Sequence, residues 1–318
     1  MFPARRGPAT PLRVWSSLED YELASYMESL RDAFPSLEVT LVRTPTGDLA
    51  HRLRTGDLGA RPPQLIFGTA ATVLCEPAIA ARLAVTSIAE APAVGPAGRW
   101  VGASGFRNAV ACCGPQLIGR GLAMPSTWAG LAAPCYYGLV AMPDPAVSGA
   151  GTLALASVIQ RFEGDAAWAI LAGIKRNAAK LVASSWQCAL AALDPATPIA
   201  LSVEIACRKL ADQEATIQVL PLRDASGVEF EGFAMLEGAA EPELGHEVLA
   251  WAVGDASRAI ARRWRKITLD HAESARGDLA AIGSFALDHQ RAARERAEHV
   301  ARFAALPSAE VVLPGAHA

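Results

Sequence analysis

The feature that most restricts this chain is the alternation of short apolar strands with amphipathic helices through its first hundred residues. Leu12-Arg13-Val14-Trp15 reads as a strand that stops at Ser16-Ser17. Leu18 to Phe34 then has helical spacing, with Leu23, Tyr26, Met27, Leu30 and Phe34 on one face, and Pro35 ends it. Leu37 to Val42 predicts a second strand, followed by Thr44-Pro45-Thr46-Gly47 and a short helix through Leu49 and Leu53. Gln64 to Phe67 predicts a third strand, ended by Gly68-Thr69, with a helix from about Ala71. Repeats of this length indicate right-handed βαβ units and a parallel sheet. In such sheets ligands sit beyond the carboxyl ends of the strands. Three strand-end loops here are small and hydroxyl-bearing: Ser16-Ser17, Thr44-Pro45-Thr46-Gly47 and Gly68-Thr69. Each is also ordinary turn and N-cap chemistry. Three at one edge point to a small polar-ligand site.

The middle of the chain carries the most informative stretch. Trp100 to Cys113 reads as a long strand passing between domains, Pro125-Ser126-Thr127-Trp128 opens a helical turn, and Tyr137 to Met142 is a strand. Pro143-Asp144-Pro145-Ala146-Val147-Ser148-Gly149-Ala150-Gly151-Thr152 then runs into the apolar helix Leu153 to Phe162. Prolines hold the entry extended, and glycines let backbone N–H groups approach a ligand. The helix start adds unpaired N–H groups and positive potential, which favour an anion. No Gly-Lys-Ser/Thr follows, so this is not the phosphate loop of nucleotide hydrolases. A capped loop without a ligand is the alternative. Farther on, Asp165 to Leu171 reads as helical, and the stretch Leu181 to Leu193 carries Ser184-Ser185-Trp186. Ile199 to Ile205 is a buried strand or a turn-to-helix junction. Ile217 to Leu222 and Phe230 to Leu236 are strands either side of an Asp224-Ala225-Ser226-Gly227 turn, and from Pro242 the chain is mostly helical.

At 318 residues the prior is two domains. Hydrophobic residues are 52% and charged residues 19%, which excludes a disordered chain. Net charge is −3, from 29 Lys+Arg and 32 Asp+Glu, so there is no global basic field for nucleic acid. Gly121 to Pro143 is 23 residues without a charge, but Pro125, Pro134 and Pro143 make a spanning helix implausible. The opening residues carry two arginines and no apolar stretch behind them. They fit either a cytoplasmic protein or one that follows a removed signal. Cys75, Cys112, Cys113, Cys135, Cys188 and Cys207 are dispersed, with no Cys-x-x-Cys pair, and read mostly as small buried hydrophobes.

The motif order resembles the periplasmic solute-binding proteins of ABC importers, in the type II cluster with Fe(III)-, phosphonate- and polyamine-binding members. The segments that carry the resemblance are Val14-Trp15-Ser16-Ser17 before an amphipathic helix, Thr44 to Leu49, Pro125 to Leu131, Met142 to Thr152 and Phe233 to Pro242. The resemblance implies an α/β fold of two lobes, with a hinge and an interlobe ligand cleft. Lobe one would be 12–104 plus 234–318, and lobe two 105–233. It implies that Ser148-Gly149-Ala150 hold an anion, as the matching motif does in the iron-binding members. The tyrosine pair those members use is absent near Glu204-Ile205, and Ser16-Ser17-Leu18 stand where their His ligand would be, so no metal is expected.

The candidate ligand-binding residues are therefore Ser16, Ser17, Thr44, Thr46, Gly47, Gly68, Thr69, Ser148, Gly149, Ala150, Ser184, Ser185, Trp186, Ser202 and Glu204. Hydroxyls and amides suit a tetrahedral oxyanion. Glu204 would add a carboxylate for an ammonium group, favouring a zwitterion such as 2-aminoethylphosphonate; its alternative is a surface carboxylate on a helix. No nucleophile elbow, metal-ligand His spacing or cofactor motif is present, so no catalytic residue, metal or cofactor is expected. Most of the six histidines read as solvated helix residues, and Arg258, Arg262, Arg263, Arg265 and Lys266 as a solvated basic face. Leu287 to Leu306 reads as an amphipathic surface helix. Trp15, Trp128, Trp186, Trp251 and Trp264 read as core or cleft-wall residues.

The expected function is a periplasmic, monomeric, non-enzymatic binding protein. It would deliver a small anionic or zwitterionic solute to an ABC permease in the membrane, with no nucleic acid involved. The alternatives are a transferase-like enzyme acting on a phosphate-bearing substrate and a cytoplasmic ligand-sensing domain.

Overall fold

A computed structural model describes residues 10–86, 88, 91–269, 279–280 and 282–308. They divide into two compact units. The first holds the described residues up to Phe106, those of Glu229–Asp278, and Asp288–Arg294. The second holds Arg107–Val228, Leu279–Leu287 and the described residues from Glu295 onward.

The first unit opens with the expected alternation: β1 (Thr10–Ser16), α1 (Asp20–Ala33), β2 (Leu37–Arg43), α2 (Thr46–Thr55), β3 (Leu65–Ala70) and the single turns α3 (Ala71–Leu74) and α4 (Pro77–Ala80). Strands β4 (Ala93–Val94), β5 (Val101–Gly102) and β6 (Ser104–Phe106) complete this part of the chain. β1 pairs in parallel with both β2 and β3. Both faces of this sheet are covered, and successive residues serve opposite cores. Val14 and Phe67 pack with Tyr26, Leu30, Phe233 and Trp251 on one side. Trp15 and Ile66 pack with Leu49, Leu53 and Trp100 on the other. The expected long strand Trp100 to Cys113 is three strands, and the chain passes between units after Phe106.

The second unit runs β7 (Asn108–Cys113), α5 (Gly114–Ile118), α6 (Trp128–Leu131), β8 (Val140–Pro143), α7 (Gly149–Phe162), α8 (Gly164–Asn177), β9 (Ala178–Val182), α9 (Ser185–Ala191), β10 (Ile199–Val203), α10 (Glu204–Ala211) and β11 (Ile217–Pro221). Its sheet has the order β11-β7-β10-β8-β9. β8 is parallel to β9 and β10, whereas β7 is antiparallel to β10 and β11. Thr127 caps α6 by accepting the Gly130 N–H at 2.9 Å. The stretch that carries Ser184-Ser185-Trp186 leaves β9 at Val182 and enters α9 at Ser185. The uncharged Gly121 to Pro143 stretch is cut into short elements. Among the described residues no helix is long and apolar enough to cross a membrane. Cys135 is exposed, the other five cysteines are buried, and all six are free.

β12 (Ser226–Met235) then continues into the first unit, with Ser226 and Gly227 in strand where a turn was expected. Its later residues pair antiparallel with β3 and β6. Helices α11 (Pro242–Ala252) and α12 (Asp255–Arg263), and strand β13 (Ile267–Thr268), close this unit. β14 (Ser284–Ala286) pairs with Ser226–Val228 in the second. The helix His289–Ala304 replaces the expected surface helix, but Phe303 is buried in the second unit's core beside Ile174 and Leu171.

Two expectations about charged residues are overturned. Lys266 is not on a solvated face: its side chain is 0% exposed and bridges Glu22 and Glu231. Helical spacing fails there because α12 ends first. Arg265 takes a left-handed conformation at φ 56°, and the Lys266 N–H donates back to Ala261 O at 3.0 Å. That helix-ending turn sends Lys266 inward. Ser104 Oγ donates to the second oxygen of Glu231 at 2.7 Å. Burial alone would strip the Lys266 proton, but Glu22 and Glu231 outweigh it and hold the ammonium well above the ordinary lysine range. Burial raises the Glu22 carboxyl, with Lys266 opposing it.

His289 is the second correction. It is buried, stacks on Phe230 at 4.9 Å and lies 3.3 Å from Glu229 Oε1. Glu229 also accepts the Thr72 hydroxyl at 2.7 Å, so β12, α3 and the helix His289–Ala304 meet at one carboxylate. His51 is exposed, and His271 and His317 lie outside the described residues.

Lys266→Met leaves two buried carboxylates without their cation and is expected to cost about 3–5 kcal/mol in chemical denaturation. Above the ordinary lysine value of about 10.5 the unfolded chain releases this proton while the folded one keeps it. The folded state then binds more protons, so stability of the wild type should fall as pH rises through that window. Lys266→Met should lack this slope, and an unchanged slope would show that Lys266 is not its source.

Candidate functional site

In the first unit, parallel pairing brings the starts of α1, α2 and α3 to the carboxyl edge of β2-β1-β3, and the three hydroxyl loops meet there. Thr44 N–H donates to Ser16 O at 3.0 Å, and Ser17 N–H to Gly68 O at 3.3 Å. These loops largely satisfy one another. Ser17 Oγ donates to Thr69 Oγ1 at 2.8 Å. Ser16 is fully buried, and its hydroxyl accepts the Leu18 N–H at 3.2 Å. Ser16 and Thr69 are thus internal struts rather than exposed ligand contacts, which corrects their expected role. Gly68 has φ +68°, and a Cβ there would meet the Leu18 side chain at 2.6 Å. Its glycine serves the turn and this packing. Among the described residues nothing bonds the hydroxyls of half-buried Thr44 and Thr46, and Gly47 follows in the first turn of α2.

The second unit builds its edge differently. β8 ends at Pro143, and Asp144 folds the next turn by accepting the Ala146 N–H on its side chain at 2.9 Å and the Ser148 N–H on its carbonyl at 2.8 Å. Ser148 is the N-cap residue of the fourteen-residue α7, yet its hydroxyl makes no capping bond. The first intrahelical donor is the Thr152 N–H, to Ser148 O at 3.1 Å. The N–H groups of Gly149, Ala150 and Gly151 precede it and have no intrahelical acceptor. Gly151 has a packing reason: a Cβ would come within 2.5 Å of Pro143 O. Glycine there lets α7 start directly against the strand end.

At the same edge β9 leads into α9, whose cap Ser184 accepts the Gln187 N–H at 3.2 Å. Ser185 opens the helix and Trp186 is half-buried, with Lys209 Nζ 4.9 Å from its ring centroid. Ser202 is a correction: it is 0% exposed and donates to Ser185 O at 2.8 Å, tying β10 to α9.

Glu204 opens α10 beyond β10 and is buried, not a surface carboxylate. It accepts from Arg107 Nε at 2.6 Å and from Arg208 Nε at 2.7 Å. Burial would raise its carboxyl, but these two guanidiniums outweigh that and lower it. Both oxygens thus accept from arginines of the same unit, whose two positive charges offset the carboxylate. Arg208 was legible as the residue one turn along α10. Arg107 was not, because only the antiparallel register that puts Asn108 opposite Val203 brings it beside Glu204. Arg107 also donates to Ile282 O and, at 3.0 Å, to Ser284 Oγ.

Other candidates fall away from these edges. Trp15, Trp128 and Trp251 are core, Trp264 packs 5.1 Å from the Tyr21 ring, and no trio of His, Cys, Asp or Glu is gathered for a metal among the described residues. The arrangement can hold an anion on backbone amides and a hydroxyl. It presents no paired acid and base.

No protein-family model and no curated protein matches the chain. Solved structures do. The periplasmic binding protein AfuA from Actinobacillus pleuropneumoniae, with fructose-6-phosphate bound, is 15% identical at a TM-score of 0.81, covering 93% of this chain and 98% of that one. Iron-bound HitA from Pseudomonas aeruginosa is 17% identical at 0.77, covering 92% and 99%. The substrate-binding protein of an ABC transporter from Agrobacterium tumefaciens is 17% identical at 0.78, covering 94% of both. With its two mixed α/β sheets matched nearly end to end, this chain has the fold of the type II periplasmic binding proteins.

Proposed function

We propose that this chain is the solute-binding component of an ABC importer. It holds a small organic anion with a tetrahedral oxyanion head, a phosphonate or a phosphate ester, and passes it to a membrane permease. It acts in the periplasm as a monomer, and the ligand leaves unchanged because no bond is made or broken. The observation that carries this reading is the start of α7, where the uncommitted Ser148 hydroxyl stands beside the N–H groups of Gly149, Ala150 and Gly151. Three amides and a hydroxyl match the acceptor-only oxygens of such a head, and the helix dipole adds positive potential. AfuA, which shares this fold, is solved with fructose-6-phosphate bound, and this supports a phosphate ester as the ligand class.

The geometry at Glu204 refines the ligand. A preference for an ammonium-bearing phosphonate rested on a free carboxylate, and that carboxylate already accepts from Arg107 and Arg208. The phosphoryl head, rather than a zwitterion, is therefore the feature to be recognised.

Ligand-stripped protein should melt several degrees higher with a phosphonate or sugar phosphate at a thousandfold excess over its Kd, which corresponds to about 4 kcal/mol. Ser148→Ala removes one hydrogen bond to a charged group and should weaken binding by about tenfold to a hundredfold without lowering the ligand-free melting temperature. Equal binding by the variant would remove Ser148 from the site. Phosphorus NMR should show the ligand unaltered after prolonged incubation; turnover would overturn the transport reading.

2-Aminoethylphosphonate and ethylphosphonate should bind within about tenfold of one another, since two guanidiniums already offset the Glu204 charge. A larger preference for the amine, lost in Glu204→Gln, would return Glu204 to the ligand.

A further inference from the structure

We propose that the first unit carries a second ligand site, at the end of its sheet away from the strand-end loops, which takes a small organic carboxylate with an apolar body. A cavity of about 430 Å³ opens where β3 begins and β12 ends. That volume is in the range of small-molecule sites.

Gln64 bridges two parts of the cavity wall. Gln64 accepts the Arg13 N–H at 2.9 Å and donates to Ala240 O at 3.0 Å, pinning the chain after β12 to the start of β3. Two arginines, Arg13 and Arg82, are among the residues that line the space. Arg13 spends its Nε on Pro62 O at 2.8 Å, and among the described residues nothing accepts from its terminal nitrogens. Arg82 is seated over Gly56, where a Cβ would lie 2.8 Å from one of its terminal nitrogens, and no acceptor among the described residues bonds its guanidinium.

Structural arginines elsewhere in this chain are spent on carboxylates or carbonyls, as Arg54 is on Glu76 and Arg99 on Ala80 and Leu83. These two share a cavity and keep donors to spare. Glu237 also lines it and forms no ion pair with either. Two positive charges against one negative favour a single anionic group over a dianion. Leu58, Pro63 and Leu236 supply an apolar wall for the rest of the ligand. The chemistry differs from the α7 start, which offers amides and a hydroxyl and no side-chain cation.

The test uses the full chain and benzoate, followed by calorimetric titration, with benzylamine as the cationic counterpart. Benzoate should bind with a Kd of about 1 mM or tighter. Arg82→Glu changes an exposed side chain and should weaken it by about tenfold or more while the melting temperature holds. Ala240→Trp, a bulky side chain at an exposed lining residue, should also abolish it while the melting temperature holds. Saturating phosphate or phosphonate should leave benzoate binding unchanged. Absence of benzoate binding, equal binding by Arg82→Glu, equal affinity for benzylamine, or displacement by phosphate would each overturn the proposal. None of these results bears on Ser148, so this site stands or falls separately from the proposed transport function.

Discussion

Parallel pairing is the constraint from which the rest of this structure follows. Strands that run the same way must be joined by crossovers, so each strand of β2-β1-β3 and of β10-β8-β9 ends where a helix begins. Every such junction brings backbone N–H groups that the helix itself cannot satisfy. Gathered along one edge, those donors have to be answered by side chains, by neighbouring loops or by something from outside. The two units answer in different ways, and the second leaves a hydroxyl and backbone donors unanswered at the start of α7.

In the first unit the loops answer one another. Ser17 bonds Thr69, Ser16 turns back on Leu18, and the Thr44 amide reaches the Ser16 carbonyl, so the edge is largely a closed set of internal bonds. The unit's charge is likewise turned inward, with Lys266 between Glu22 and Glu231 and Glu229 between Thr72 and His289. A buried ammonium facing two carboxylates would be costly to separate, and its members come from α1, β12 and the segment after α12. In the second unit Asp144 organises the turn through its own oxygens and leaves Ser148 and the first amides of α7 unanswered.

The alternation in residues 12 to 74 was legible because it depends on local spacing: apolar positions every second residue in strands, every third or fourth in helices, and Pro35 or a glycine at the breaks. The helical turn opened by Pro125 to Trp128 and the apolar helix from Leu153 were legible for the same reason, although that helix already begins at Gly149. What spacing does not carry is a change of direction at an element's end. The basic run from Arg258 looks like one helix face, yet a left-handed Arg265 ends the face and buries Lys266. Nor does spacing tell a free hydroxyl from a spent one. Ser16, Ser202 and Ser148 are alike as strand-end serines, and only the three-dimensional register leaves Ser148 alone with its hydroxyl uncommitted. Glu204 fails in the same way, because its partner Arg107 is distant in sequence and adjacent only across β7 and β10.

The pairing of Glu204 also explains how the second unit can favour an anion with a carboxylate at its edge. An unpaired Glu204 at the start of α10 would set a full negative charge at this edge of the unit and disfavour an oxyanion there. Two guanidiniums against one carboxylate reverse that local balance. Because Arg107 and Arg208 are spent on Glu204 rather than on ligand, they add positive potential without fixing where the anion sits. Position is then left to directional groups, the Ser148 hydroxyl and the backbone amides, whose geometry is set by the strand end and by the close approach that Gly151 permits. For the proposed anion, such an arrangement would separate attraction from recognition: the arginine pair would supply positive potential, and the α7 start fixed donors.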